Sequence, residues 1–417
     1  MSLKQLLKEE YSLQQEAVRI RRLIYEQENS PAISAELLKK LQTIEEELFN
    51  KEKEREQAQA DDPKLNGTII NSTKSSLLMG PETTGLEAEF YLNLEYVPTS
   101  IVHLFDSMET PLISCKVKNT SNRTRRLRVT SFVEGYSAQA VDTLEIRQNE
   151  APEFKHLPVF FLDKIRNINE LTKAAVNVMV EDLDSQAGQF NGKIELHKTK
   201  SVWLLARTTA PMSVINPQTG KKVDMTQYLG AFVTPNAPEV MSFLRAASDL
   251  SPQTEFVGYQ GDKNNLDIVL AQVKAIYDAL KNTANIHYVN SVLANNPQEG
   301  TISQRVRLPR ESLKDKQANC IDGTLLFASL LEAISMNPAI VTVPGHAFVG
   351  WETWENSGAY NYVETTLIAK SDFTAARKEA EEMYKTYDEL EKMGVTGRLY
   401  RWSLRDLRSV KRITPME

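Results

Sequence analysis

The period of the apolar positions changes along this 417-residue chain, and each change marks a different kind of element. Up to residue 60 the period is helical. Leu6, Leu13 and Ile20 recur every seven residues with Leu3, Ala17 and Ile24 between them, and beyond Asn29-Ser-Pro31 a second run sets Leu37, Leu41, Ile44 and Leu48 at steps of four and three. So narrow a seam is that of a coiled coil. Pro31 disfavours helix in the residue before it, so residues 1–60 read as two antiparallel helices joined by a short turn. A thin apolar stripe is marginal alone and needs a partner surface, either the chain's own or that of another protein or copy. Residues 61–85 then carry breaker signals, Asp61-Asp-Pro63, Asn66-Gly67, Asn71 to Ser76 and Gly80-Pro81. They read as a linker with anchoring points at Ile69-Ile70 and Leu77-Leu78-Met79.

From residue 86 the period is two. Leu86, Ala88, Phe90 and Leu92 alternate with polar residues, and Ile113, Cys115 and Val117 form the apolar face of the next run. Further strand runs cover 126–133, 138–146, 174–180 and 201–208. Short strands at close spacing with turn clusters between them predict an immunoglobulin-like β-sandwich over 86–212, with Cys115 a core residue. Arg123, Arg125, Arg126 and Arg128 cluster at one turn. They are either charges that discourage edge pairing or a site for an anionic partner.

Residues 213–417 mix the two periods. Helices are expected over 238–248 and 265–281, and over 371–392 with Phe373, Ala376, Ala380, Met383 and Tyr387 inward. Residues 321–334 are apolar on nearly every face, as in a buried helix. Runs at 339–343, 346–351 and 360–367 read as strands. The whole is a multidomain α+β chain with a helical hairpin, a sandwich and an α+β catalytic module.

Composition narrows the function. The formal charge of −6 gives no global reason for nucleic-acid binding, and the arginine cluster lacks the interleaved aromatics that single strands stack on. No apolar run approaches the ~20 residues of a membrane span, and no apolar leader is visible at the N-terminus. Cys115 and Cys320, the two cysteines, fall in different segments, which argues against a disulfide framework and for a reducing, cytoplasmic setting. His103, His156, His197 and His287 show no metal-ligand spacing, so no metal or cofactor is expected.

The chemistry concentrates in three consecutive pieces. Asn319 is a natural N-cap and sets Cys320 in the first turn of the buried helix, where unpaired N–H groups and the helix dipole favour a thiolate and could hold an oxyanion. Pro344-Gly345 interrupts two strand runs and puts His346 at the start of the second. Glu364 lies in the third run, within reach of His346 if the two pair antiparallel. Cys320, His346 and Glu364 thus have the roles of nucleophile, base and orienting acid. Gln317 and Asn236 are candidates for a supporting oxyanion donor, with a turn or cap role as the alternative. Trp351 and Trp354 either line a substrate groove or pack.

The order cysteine, histidine, acid on helix, strand, strand resembles the transglutaminase-like cysteine hydrolase superfamily. Cys320-x-Asp322 and Gly345-His-Ala-Phe-Val349 are similar to its two central motifs. The resemblance is closer to the transglutaminase-like module of large bacterial helicase-related proteins. It extends there to Leu229–Asn236, Gln304–Pro309 and Leu404–Pro415, about residues 225–417 in all. It implies a papain-like fold and a thiol hydrolase acting on peptides or isopeptides. Two departures bear on activity. The acid is Glu where the superfamily usually has Asp. Asn319 and Ile321 flank the cysteine where animal transglutaminases carry tryptophan, which argues against protein crosslinking. Three functions follow: a cysteine peptidase or isopeptidase, an acyl transferase in which an amine replaces water, and a binding or scaffold protein that keeps the fold.

Overall fold

The computed structural model describes selected positions between 5 and 23, then residues 31–60, 73–79, 85–184, 193–215, 222–250, 255–260, 266–289 and 302–416. The chain divides into two compact units. One is Pro63–Thr209 with 216–218, and the other combines Met1–Asp62, Ala210–Ile215 and Thr219–Glu417. The architecture is mixed α and β, with several separate sheets.

The first unit carries strands β1 (Thr73–Met79), β2 (Leu86–Leu92), β3 (Tyr96–Val97), β4 (Ile113–Asn119), β5 (Arg125–Val133), β6 (Ala140–Ile146), β7 (Glu153–His156), β8 (Thr172–Asp182) and β9 (Lys193–Leu204). They form a four-stranded sheet, β1-β2-β4-β7, and a five-stranded sheet, β3-β9-β8-β5-β6. Alternation puts Phe90, Cys115 and Val117 of one sheet in a single apolar cluster with Leu127, Val129, Val178 and Val202 of the other. Burial pushes the Cys115 thiol far above its usual range. β1 pairs antiparallel with β2 and lies inside the stretch whose turn signals mark a linker. Ile69-Ile70 of that stretch falls outside the described residues.

The arginine cluster is a charge ladder within this unit. Arg123 and Arg125 reach the buried Asp182 at 2.9 and 2.5 Å, Arg126 reaches Asp184 at 3.2 Å, and Arg128 grips Glu181 with two bonds of 2.7 and 2.9 Å. Each arginine of the cluster thus has a carboxylate partner, while the Arg123 and Arg126 side chains stay half-exposed.

In the second unit the described positions up to 23 are helical, and helix α1 spans Pro31–Ala60. Ala17 and Ile20 share a small apolar cluster with Leu41, Ile44 and Leu48. Ion pairs Lys40–Glu16 (3.2 Å) and Lys51–Glu9 (3.0 Å) run in opposite senses along the two segments, as an antiparallel pair requires.

The rest of this unit contains strands β10 (Thr209–Ile215) and β11 (Lys222–Asp224), and helices α2 (Pro238–Ala247) and α3 (Leu266–Asn282). Strands β12 (His287–Tyr288) and β13 (Ile302–Arg305), helix α4 (Pro309–Asp315), strand β14 (Gln317–Ala318) and helix α5 (Cys320–Ala333) follow. Then come β15 (Pro338–Val343), β16 (His346–Glu352), β17 (Tyr360–Val363), helix α6 (Phe373–Lys392), β18 (Tyr400–Ser403) and helix α7 (Leu404–Ser409). The main sheet is antiparallel in the order β17-β16-β15-β18, with α5 packed on its two central strands and α6 on β17. A run such as Pro338–Val343, buried at every position, can only be a central strand.

Arg408 ties three distant segments together. Its guanidinium makes two 2.9 Å bonds to Glu332 at the end of α5. It also donates to the carbonyls of Gly230 (2.9 Å), Val233 (3.0 Å) and Ile413 (2.6 Å). Leu229–Asn236 and Leu404–Pro415 therefore meet on the helix that carries Cys320. Among the described residues no helix is long and apolar enough to cross a membrane.

Candidate active site

Cys320 is the first residue of α5, and its neighbours fix that helix start. The Asn319 side chain accepts a bond from the Asp322 N–H (2.8 Å), while the Asp322 carboxylate accepts from the Asn319 N–H (3.1 Å). This is a reciprocal capping box. Asp322 is fully buried and also takes the Arg307 N–H (2.8 Å) and guanidinium (3.0 Å), tying the Gln304–Pro309 segment to the cysteine. Burial pushes the Asp322 carboxyl up, against the pull of the Arg307 and Asn319 bonds. Helix geometry leaves the Cys320 and Ile321 N–H groups without an intrahelical acceptor.

Gly323, one turn in, sets the approach of α5 to the acid. A Cβ at this position would stand 2.7 Å from Thr365 Oγ1 and 3.0 Å from Thr365 Cβ, closer than side chains tolerate. Thr365 directly follows Glu364, so the bare glycine is what lets the cysteine helix lie against the turn that holds the carboxylate.

His346 opens β16. Gly345, at φ 73°, makes the left-handed step of the turn, and Val343 pairs with His346 to close the hairpin. β16 and β17 pair antiparallel with Val349 opposite Val363. Continued by one step, that register puts Glu364 opposite Phe348 and diagonal to His346, on the same face. The contact is a 2.7 Å bond between His346 Nε2 and Glu364 Oε2. Thr366 holds the other carboxylate oxygen through its N–H (2.9 Å) and hydroxyl (2.7 Å). With Nε2 engaged by Glu364, Nδ1 is the ring nitrogen left for the thiol, and the Cys320 side chain is within hydrogen-bond range of the ring.

Burial grades along this relay. Cys320 is half-buried, the His346 side chain is 9% exposed and that of Glu364 is 0% exposed. Burial opposes charge on His346, but the Glu364 carboxylate and the bond to Cys320 outweigh it, and the imidazole is pushed up to about 10. Burial likewise works against the Glu364 charge, yet the imidazolium and the Thr366 donors hold its carboxyl below the usual range. The group has the connectivity of a thiol nucleophile, its proton acceptor and an orienting acid.

The other candidates lie differently. Asn236 is exposed in the turn before α2, and Gln317 is half-buried in β14, three residues ahead of Cys320. Neither side chain hydrogen-bonds within the described residues. Trp351 is fully buried and stacks on Phe373 (6.3 Å between centroids), so it is core and not the wall of a groove. Trp354 is half-buried against Tyr259.

In the first unit, Ser131 Oγ lies 2.8 Å from His156 Nδ1, and Asp142 Oδ2 lies 3.2 Å from His156 Nε2. The connectivity is that of a serine triad, but Ser131 is 0% exposed and presents no nucleophile to a substrate. Thr366 had no sequence signature, being a hydroxyl two residues past the acid in a turn. The Asn-x-x-Asp spacing of a capping box is the sequence signal by which the capping role of Asp322 could have been found.

No protein-family model and no curated protein matches this chain. Among solved structures, a match is a fragment of native α2-macroglobulin from Escherichia coli, running from its MG7 domain to the C-terminus. It is 10% identical, covers 41% of this chain and 31% of that one, and has a TM-score of 0.17. A likeness at that level carries no argument about fold or function.

Proposed function

We propose that residues 213–417 form a transglutaminase-like cysteine hydrolase module that cleaves peptide or isopeptide bonds through an acyl-enzyme. The observation that carries this reading is the relay itself. His346 Nε2 is held at 2.7 Å by a fully buried Glu364, and its ring is within hydrogen-bond range of a half-buried thiol at a helix N-terminus.

The Cys320 thiolate attacks the amide carbonyl carbon. The carbonyl oxygen takes the negative charge and is met by N–H groups of the first turn of α5. The C–N bond breaks as the His346 imidazolium gives its proton to the leaving amine, and a thioester remains on Cys320. Water then attacks the thioester and passes a proton to His346, and the acid leaves as the C–S bond breaks. The net change is one amide and one water converted to one carboxylic acid and one amine. Glu364 holds the ring tautomer and stabilises the imidazolium throughout.

On this reading the Pro63–Thr209 unit is an immunoglobulin-like domain that recruits substrate, and the two free cysteines fit a reducing cytoplasm. p-Nitrophenyl acetate is a substrate-independent test, because it delivers an acyl group to any competent thiol. The expected result is a burst of one equivalent of nitrophenol, absent in Cys320→Ala and His346→Ala. No burst, or one that survives His346→Ala, overturns the proposal.

A further inference from the structure

Among the described residues of the second unit, one fully buried carboxylate joins helix α1 to the strands and helices around the site. Glu45 of α1 is 0% exposed. It accepts a 3.0 Å bond from the Tyr387 hydroxyl of α6 and stands 3.6 Å from Arg398 Nε, both residues being 3% exposed or less. Leu41, Ile44 and Leu48 form the apolar seam with Ala17 and Ile20. Glu45 stands one turn on from Leu41, at about 40° around the helix, and so borders the seam on the side that meets Tyr387. A helix that docks through a buried charge gains little net stability from it, because desolvation offsets the attraction. The contact specifies a position instead.

That position matters because of what Tyr387 packs among. It belongs to one apolar cluster with Val341, Val343, Phe348 and Tyr362. Val343 is the strand partner of His346, and the Phe348 ring stacks on the His346 imidazole at 6.3 Å and 29°. The His346 imidazole is thus backed by a cluster whose Tyr387 bonds to Glu45 of α1. Arg398 is fixed as well, because its N–H and that of Leu399 both donate to Glu391 (2.6 and 3.0 Å).

We propose that Glu45 is a positioning residue for the His346 site. The docked hairpin holds Tyr387 in the cluster behind Phe348, and the reactivity of Cys320 depends on that docking. The inference rests on the cysteine-hydrolase reading for its functional consequence but not for its structural one. It makes the hairpin a part of the module through which release of α1 turns the site down.

The test uses the full chain, with Glu45→Ala, Glu45→Gln and Tyr387→Phe. Hydrogen exchange reads the docking of α1 (residues 36–54) and the order of the His346 turn (343–348). Iodoacetamide labelling of Cys320, quantified by peptide mapping between pH 5.5 and 9, reads the site. In Glu45→Ala, protection is expected to fall in both segments. Labelling at pH 6.5 should slow about tenfold or more, within the range that an ångström-scale misplacement produces. Glu45→Gln keeps an acceptor for Tyr387 and recovers most of both, while Tyr387→Phe keeps the cluster and loses part of the docking. Release of α1 with the 343–348 turn and the Cys320 profile unchanged overturns the proposal, as does undiminished α1 protection in Glu45→Ala. A wild-type Cys320 that labels no faster than its His346→Ala variant overturns the hydrolase reading instead, and the exchange data still decide whether Glu45 orders the turn.

Discussion

Arg408 offers the most quantitative check on how the site unit is held together. Arg408→Ala removes a bidentate pair with Glu332 and three bonds to the carbonyls of Gly230, Val233 and Ile413. Breaking a buried ion pair by deleting one partner costs about 3–5 kcal/mol. Arg408 and Glu332 are 20% and 19% exposed, so water relieves part of that loss. A cost of about 3 kcal/mol is expected, or roughly 6–12 °C in Tm for a unit of this size. Lysine keeps the charge but loses the planar fork, so Arg408→Lys should recover only about 1 kcal/mol of it. Urea unfolding followed by tryptophan fluorescence is the assay. Trp351, Trp354 and Trp402 lie in this unit and Trp203 in the other, so the signal weights the right one. A loss below about 1 kcal/mol in Arg408→Ala, the size of an ordinary surface change, would refute the clamp. So would full rescue by lysine.

Two further outcomes follow from single contacts. Gly323→Ala drives a methyl into Thr365 and should cost about 1–3 kcal/mol by overpacking while slowing Cys320 alkylation. Adding Thr365→Ala should restore most of both, and a double mutant as impaired as the single would show that the close approach is not the cause. In the first unit, burial holds the His156 imidazole below its ordinary value against the pull of Asp142. The unfolded state then binds the proton first, so stability contributed by the neutral ring is lost as pH falls below about 6.5. His156→Gln should flatten that dependence, and an NMR titration of His156 with a midpoint above about 6.5 would contradict it.

Helices and central strands were legible because their signals are local. The helix expected over 265–281 is Leu266–Asn282, and the β-branched run at 339–343 is the central strand β15. Cys320 was readable from Asn319 and the apolar run behind it, and His346 from the Pro344-Gly345 break. The rest depends on contacts between residues far apart in sequence. Trp351 looks the same in sequence whether it lines a groove or stacks on Phe373. The clustered arginines 123–128 gave no sign that Asp182, Asp184 and Glu181, more than fifty residues on, pair with them. Glu45 reads as one more charge on a charged helix, and only folding shows it buried against Tyr387. The strand at Thr73–Met79 was masked by the turn formers around it, since pairing with β2 outweighs local propensity.

The most direct measurement for the relay is the alkylation rate of Cys320 against pH in the native chain, His346→Ala and Glu364→Ala. His346 is pushed up to about 10 and so stays charged through neutral pH. A cationic ring within hydrogen-bond range favours the thiolate as the attacking form. The expected native rate is fast at neutral pH, falling to that of an ordinary thiol in His346→Ala and part of the way in Glu364→Ala. A native profile that rises only near the ordinary thiol value, and is indifferent to both substitutions, would contradict a working Cys320–His346–Glu364 relay.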